Sequence, residues 1–479
     1  MNNLDQYKRI IGKILPEEEK LNLDWIEVRI ENTYYERIHY LNGRLREAST
    51  SHYQGVGIRV LKDGKIGFSS SSGLDIDDIL EAVRYAKSVA EVNPRKTELV
   101  RDVYTGIFEG GKYDIHPSQA TYDDKMKVIK AFEEGIKDRE KALENALFKP
   151  SDHKQESISI RYGSYYGEIY IWNTDGTEVL YKPILIGVAA STILKSDGRY
   201  GDAYEVYGGS MGFEKLLNLD NVYELGVRTY SKALEKTVAD YVEGGVKKVI
   251  TGPRMSGVFA HESFGHMSEA DHITANASPL KDRIGEELGS EYASIVDDGT
   301  PDEGGFYYPV DSEGVKTRRV ILLDKGVLKG YLLDRENASI LNMELTGNGR
   351  AQNYSYPPIV RMRNTFFLPG DWTLDEMIHD IREGVYVDDE RGGEVNLDGT
   401  FTFTAGRGYI IKNGEFIKPV KDAVLSGNIL EMLKYIEGAS KEYVVEAVPF
   451  GGCGKGGQSV FVGLGGPYLY ISKLMVGGR

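Results

Sequence analysis

Apolar residues first recur at every second position. Ile26, Val28 and Ile30 alternate with Glu27 and Arg29, and Val56, Ile58 and Val60 alternate with small or polar neighbours, which predicts half-buried strands. Asn42-Gly43 and Asp63-Gly64 tolerate the positive φ of tight hairpins, so this stretch reads as an antiparallel meander. The period then lengthens. Ile76, Ile79, Leu80, Val83 and Val89 fall near helical spacing behind Asp75, a capping candidate. A second, charged helix is expected over 123–147. Strands follow over 158–194 within a Tyr- and Gly-rich section, and a helix over 222–238 closes this half.

Glu243-Gly244-Gly245 interrupts the pattern just before the strand Val246 to Ile250, and marks a domain boundary. The chain therefore reads as α+β in two domains, an N-terminal α/β domain over 1–243 and a β-rich C-terminal domain over 244–479. The second domain begins with a helix for which Ser256 is a plausible N-cap, Pro253 lying shortly before it. Beyond Gly299 the pattern is mostly β. Asp324-Lys-Gly326 joins a hairpin of Val320 to Leu323 with Val327 to Leu333, and further strands are expected over Phe401 to Thr404, Tyr409 to Ile411 and Val460 to Leu464. Short helices at Leu374 to Glu383 and Ile429 to Ile436, the latter ended by Gly438, interrupt them.

The 479 residues exceed one ordinary core. With 58 Lys+Arg against 73 Asp+Glu the net charge is −15, a field that repels nucleic acid and anionic membranes and disfavours direct binding to either. The first residues carry no apolar segment of signal type, and no apolar run is long enough to span a bilayer, so a cytoplasmic location is expected. The single cysteine, Cys453, excludes an intrachain disulfide.

Within that acidic chain one segment concentrates chemistry. His261, Glu262 and His266 form H-E-x-x-x-H, one residue longer than the metalloprotease signature whose histidines, four apart, share a helix face. At about 100° per residue, histidines five apart diverge by roughly 140° on a regular α-helix. A π-bulge near Ser263 to Gly265, with its i to i+5 hydrogen bonds, brings the rings together; the alternative is a pair of unrelated helix histidines. A catalytic zinc takes three protein ligands and leaves one position for water. Glu269, Asp271 and His272 are near candidates for the third, but the distant Cys453, in a glycine-rich loop, is the stronger one because thiolate is a good zinc ligand. Glu269 and Asp271 read either as partners that orient the histidines or as a solvated acidic helix end, and His272 as a surface residue. His39, His52, His116, His153 and His379 are scattered singly and read as structural. The loop around Lys455 lacks the first glycine and the Ser/Thr of a phosphate cradle, and the deaminase pattern is also absent. Such a centre would activate water, with Glu262 as general base, for amide hydrolysis.

Several ordered motifs extend this reading. Gly257 to Asp271, Gly330 to Arg335, Thr346 to Arg350, Pro358 to Thr365 and Gly452 to Gln458 together resemble the TldD/PmbA family on its TldD side, as does the early Gly55 to Val60. The resemblance implies a zinc metallopeptidase carrying one zinc ion per chain on His261, His266 and Cys453, with Glu262 as the catalytic residue. It also implies a dimer around a cavity that admits peptides or unfolded polypeptide, with either an identical chain or a motif-lacking paralogue as partner. A non-catalytic peptide-binding subunit is the competing reading.

Overall fold

The computed structural model describes residues 3–478 except 303. Its N-terminal half is built on one eight-stranded sheet: β1 (Trp25–Leu41), β2 (Arg44–Lys62), β3 (Lys65–Ser72), β4 (Thr105–Glu109), β5 (Lys154–Asn173), β6 (Glu178–Lys182), β7 (Ile184–Ser196) and β8 (Arg199–Gly209). The expected meander is present: β1 to β3 pair antiparallel, turning at Asn42-Gly43 and Asp63-Gly64, where all four residues have positive φ. β5 is the spine. One edge pairs with β1, while the other takes β7 along its first part and β6 along its last.

The period-two pattern decides what each face meets. Even-numbered residues of β1 and β5, such as Val28, Ile30, Ile160 and Tyr162, bury against helices. α1 (Asn3–Leu21) and α2 (Ile76–Val92) cover one end, while α3 (Tyr122–Lys137) and α5 (Leu219–Val238) cover the other. α4 (Arg139–Asn145) lies between α3 and α5 in sequence. Odd-numbered residues face the C-terminal domain, where Ile171 packs with Tyr181, Phe306 and Tyr308.

In the C-terminal part, the strand Gly245–Thr251 runs parallel to Glu383–Val395 and antiparallel to Leu464–Gly477. With Thr400–Lys412, Glu415–Asn428 and Ile436–Glu446 these make a six-stranded sheet, and pairing of Val424 to Ser426 with Met475 to Gly477 curls five of them into a closed ring. α6 (Pro253–Val258) packs into this curl. No described helix is long and apolar enough to cross a membrane.

Several expectations need correction. The span 123–147 is two helices, because Asp138 leaves helical geometry and caps the second by accepting from the Lys141 N–H. α1, not among the expected helices, buries Tyr7, Ile10, Ile11 and Ile14 at helical spacing and tolerates an exposed internal Pro16. Ser256 does not cap the motif helix: Gly252 is the N-cap, Pro253 is its first residue, and the buried Ser256 hydroxyl donates to the Pro253 and Pro467 carbonyls. The segment Val460 to Leu464 is a strand end, a gap and a strand start, and Gly438 lies inside a strand rather than ending a helix. Of the expected return strand, Val327–Leu328 pairs in the hairpin, and Leu332 bridges Glu269 instead.

Candidate metal centre

The motif helix changes pitch where its histidines require it. α6 is α-helical to Val258, Phe259–Gly265 is π-helical, and a 3-10 turn, His266–Ser268, follows. The His266 N–H bonds the His261 carbonyl, the i to i+5 link that returns residues five apart to one face. The two rings consequently stand 5.4 Å apart, nearly perpendicular. Gly265 keeps an ordinary helical φ of −60°, so backbone freedom is not its contribution. A Cβ there would collide with Met362 Sδ; the glycine provides clearance. Phe259 anchors the turn against Phe401 and Phe403, at 5.1 and 5.6 Å between ring centroids.

Cys453 arrives from the other end of the chain on a small hairpin, Cys453–Lys455 paired with Gln458–Val460. Gly456 and Gly457, at φ 57° and 74°, form its turn. Arg361, fully buried, donates to the Cys453 carbonyl and to that of Gln458, fastening both strands. Cys453 Sγ lies 3.4 Å from His266 Nε2, and donor atoms of His261, His266 and Cys453 all fall within 4.8 Å of one another. Zinc bonds of about 2.0 Å to nitrogen and 2.3 Å to sulfur set tetrahedral ligand atoms roughly 3.5 Å apart. The donor set therefore fits that ion in type and spacing.

His261 supplies the sharper test. It is 1% exposed, yet among the described residues neither ring nitrogen has a hydrogen-bond partner. An imidazole left unpaired in the interior costs about 1–3 kcal/mol for each lost bond, a penalty that metal ligation removes.

Surrounding charges polarise the group. Burial pushes the Cys453 thiol up, but His261 and His266 outweigh it and bring it down to about 5. Burial disfavours the His266 imidazolium, but bonds to Cys453 and Glu269 raise it to about 10. Glu269 is fully buried; against that desolvation, His266 and Lys455 hold its carboxyl down at about 2. Its Oε2 lies 2.8 Å from His266 Nδ1 and 3.0 Å from Lys455 Nζ, which also donates to Asp271 at 2.7 Å. Glu269 is thus no solvated helix end. Glu262 is the open member, with a side chain 40% exposed and Oε2 3.7 Å from His266 Nε2.

His272 is half-buried rather than superficial, 3.7 Å from Glu269. The other five histidines lie outside this cluster: His52 stacks on Tyr34, His116 caps a turn, His153 meets Tyr230, His379 bonds the Asp375 carbonyl, and His39 lines a cavity. The role of Lys455 as counter-ion is not among the sequence expectations. Its signal is nonetheless present, since residues i and i+2 of a strand share a face and place Lys455 beside Cys453.

Three family models match the chain. Residues 26–90 match the model described as PmbA/TldA metallopeptidase domain 1, 115–240 its central domain and 244–478 its C-terminal domain. The architecture is accordingly three domains, not two: the segment expected to be one α/β unit joins two family domains through a continuous sheet. Among similar proteins, a metalloprotease of Methanocaldococcus jannaschii is 34% identical over 92% of this chain and 95% of its own. A metalloprotease of Methanothermobacter thermautotrophicus is 32% identical over 98% of each. A protein of Saccharolobus solfataricus named as a zinc metalloprotease TldD homolog is 29% identical over 97% of this chain and 99% of its own. The crystal structure of TldE from Thermococcus kodakarensis superposes with a TM-score of 0.77 at 19% identity, covering 98% of this chain and 100% of that one.

Proposed function

The chain belongs to the PmbA/TldD metallopeptidase family, and on that footing we propose that it is a zinc-dependent peptidase acting on peptides or unfolded polypeptide segments. His261, His266 and Cys453 hold one zinc ion per chain, and Glu262 is the general base. The observation that carries this reading is His261, deeply buried with both nitrogens unpaired among the described residues, facing the Cys453 thiol and a second imidazole.

A bound zinc ion polarises the scissile carbonyl and lowers the pKa of its water to about 7. The chain's own groups do the rest. Glu269 accepts a hydrogen bond from His266 Nδ1–H, which would leave Nε2 free to hold the metal, and Lys455 keeps that carboxylate ionised. Glu262, exposed beside His266, takes the proton of the attacking water and returns it to the leaving amine. The protein assembles as a dimer, with itself or with a motif-lacking paralogue; light scattering on the isolated chain distinguishes the two.

Hydrolysis of an unfolded protein is expected to stop with a chelator and return with zinc. Glu262→Ala is expected to retain zinc while losing at least about 10²-fold in kcat. Equal turnover by Glu262→Ala contradicts the general-base role.

A further inference from the structure

We propose that the cavity between the N-terminal sheet and the C-terminal domain receives acidic stretches of polypeptide, whose carboxylates are bound by Arg37 and Arg161. This rests on the peptidase reading and names the substrate class for it.

The cavity holds about 610 Å³, within the range of peptide and small-ligand sites. One wall is the odd-numbered face of β1 and β5; the opposite wall includes Pro449 to Gly452, the loop that leads directly into Cys453. Val460, also in its lining, is the strand partner of Cys453. A chain lying in the cavity therefore passes beside the loop and the strand that flank Cys453.

The cavity's charge runs against that of the molecule. The chain carries −15 overall, yet Arg29, Arg37, Arg161 and Arg350 line this space against Glu31 and Glu47. Most of these charges are already engaged. Arg29 donates to the Asn353 and Tyr356 carbonyls at 2.8 and 2.6 Å, and Arg350 to the Phe461 carbonyl at 2.6 Å. Glu31 accepts from Thr33 Oγ1 and the Tyr354 N–H, and Glu47 accepts from Ser49 Oγ. Arg37 and Arg161 remain: both are exposed, and among the described residues neither forms an ion pair. Arg37 rests over the Tyr35 ring, 4.3 Å from its centroid.

Their spacing follows from the strand register. Arg161 is opposite His39 and Gly163 is opposite Arg37, so the two arginines are diagonal neighbours on one face, about 7–8 Å apart at the backbone. Each guanidinium presents a fork matched to a carboxylate, and among the described residues neither fork is taken by one. Tyr35, Tyr53 and Tyr165 beside them offer aromatic surface to the rest of the occupant.

The test uses two rhodamine-labelled unfolded peptides that differ only in glutamate or lysine flanks, with binding read by anisotropy on full-length Glu262→Ala and cleavage read in parallel on the wild type. The glutamate peptide is expected to bind about tenfold tighter at low salt, with the difference shrinking as ionic strength rises. Arg37→Gln/Arg161→Gln removes the preference, and Arg37→Glu/Arg161→Glu reverses it; circular dichroism confirms that each variant is folded. Equal affinity for the two peptides, or a preference unchanged in the Gln variant, overturns the assignment even if both peptides are cleaved, which would leave the peptidase reading standing. An arginine-dependent preference without cleavage upholds the cavity assignment and overturns the peptidase.

Discussion

At the level of single residues, Glu269 sets the electrostatics of the centre. A fully buried carboxylate is tolerated only because His266 and Lys455 both lie within 3.0 Å of it. Glu269→Gln keeps the shape but loses the charge that orients His266. Zinc affinity, measured by competition with a chromophoric chelator, is expected to fall about 10- to 100-fold, and an unchanged affinity contradicts the positioning role. Gly265 gives a second prediction. An alanine collides with Met362 Sδ, so Gly265→Ala is expected to cost about 1–3 kcal/mol in urea unfolding, with Met362→Ala in the same chain restoring part of it. No recovery in the double variant points to another source of strain. At this scale the sequence is informative where chemistry resides in residue type, as for H-E-x-x-x-H and Cys453. It is less so for Arg361, whose contacts with Cys453 and Gln458 depend on segments about 90 positions away.

Among the elements, the π turn and the cysteine hairpin have to be held in mutual register. The spacing of His261 and His266 by itself implies the distortion, because a regular α-helix would send the two rings apart. The hairpin rests on the left-handed Gly456-Gly457 turn. Gly457→Val forces a β-branched residue into that region at a cost of about 1–2 kcal/mol and loosens the strand bearing Cys453. The expected result is weaker zinc retention on dialysis with the fold intact by circular dichroism; wild-type retention would show that the turn does not position the thiolate. Local pattern reveals strands such as β1 and β2, where alternation and Asn-Gly turns agree. It misses the break at Asp138, a cap within a charged helical run; α1 is legible, since Tyr7, Ile10, Ile11 and Ile14 keep helical spacing and the exposed Pro16 lies off that stripe.

For the whole molecule, a buried ionic network joins the domains. Arg254, in the first turn of α6, reaches Glu205 on β8 at 3.2 Å, Asp389 at 3.4 Å and Glu446 at 3.4 Å, while Lys232 of α5 bridges Glu205 and Asp389. The motif helix is thereby tied to the N-terminal sheet. Burial pushes the Glu205 carboxyl up, but Lys232, Arg254 and Arg228 outweigh it and hold it at about 2, below its ordinary 4.5. A depressed folded pKa means that this stabilisation is fully present above about pH 4.5 and is lost as pH falls towards 2; it is on the order of 3 kcal/mol. Asp388 and Glu446, whose pKa values are raised chiefly by burial, gain stability instead as pH falls towards their ordinary values of about 4, so their contribution comes before most of that loss. Thermal melts should show wild-type stability dropping through that window more steeply than Glu205→Gln, and parallel pH profiles contradict the assignment. The division into three domains is not legible in the sequence, because one sheet spans the first two and its long-range pairing leaves no break in the local pattern.

The most direct measurement for the central claim is zinc K-edge X-ray absorption on the purified full chain, combined with elemental analysis. The expected result is one zinc per chain in a four-coordinate shell, with two nitrogen ligands at about 2.0 Å and one sulfur at about 2.3 Å, the sulfur lost in Cys453→Ala. A first shell with no sulfur, or one unchanged by Cys453→Ala, contradicts it.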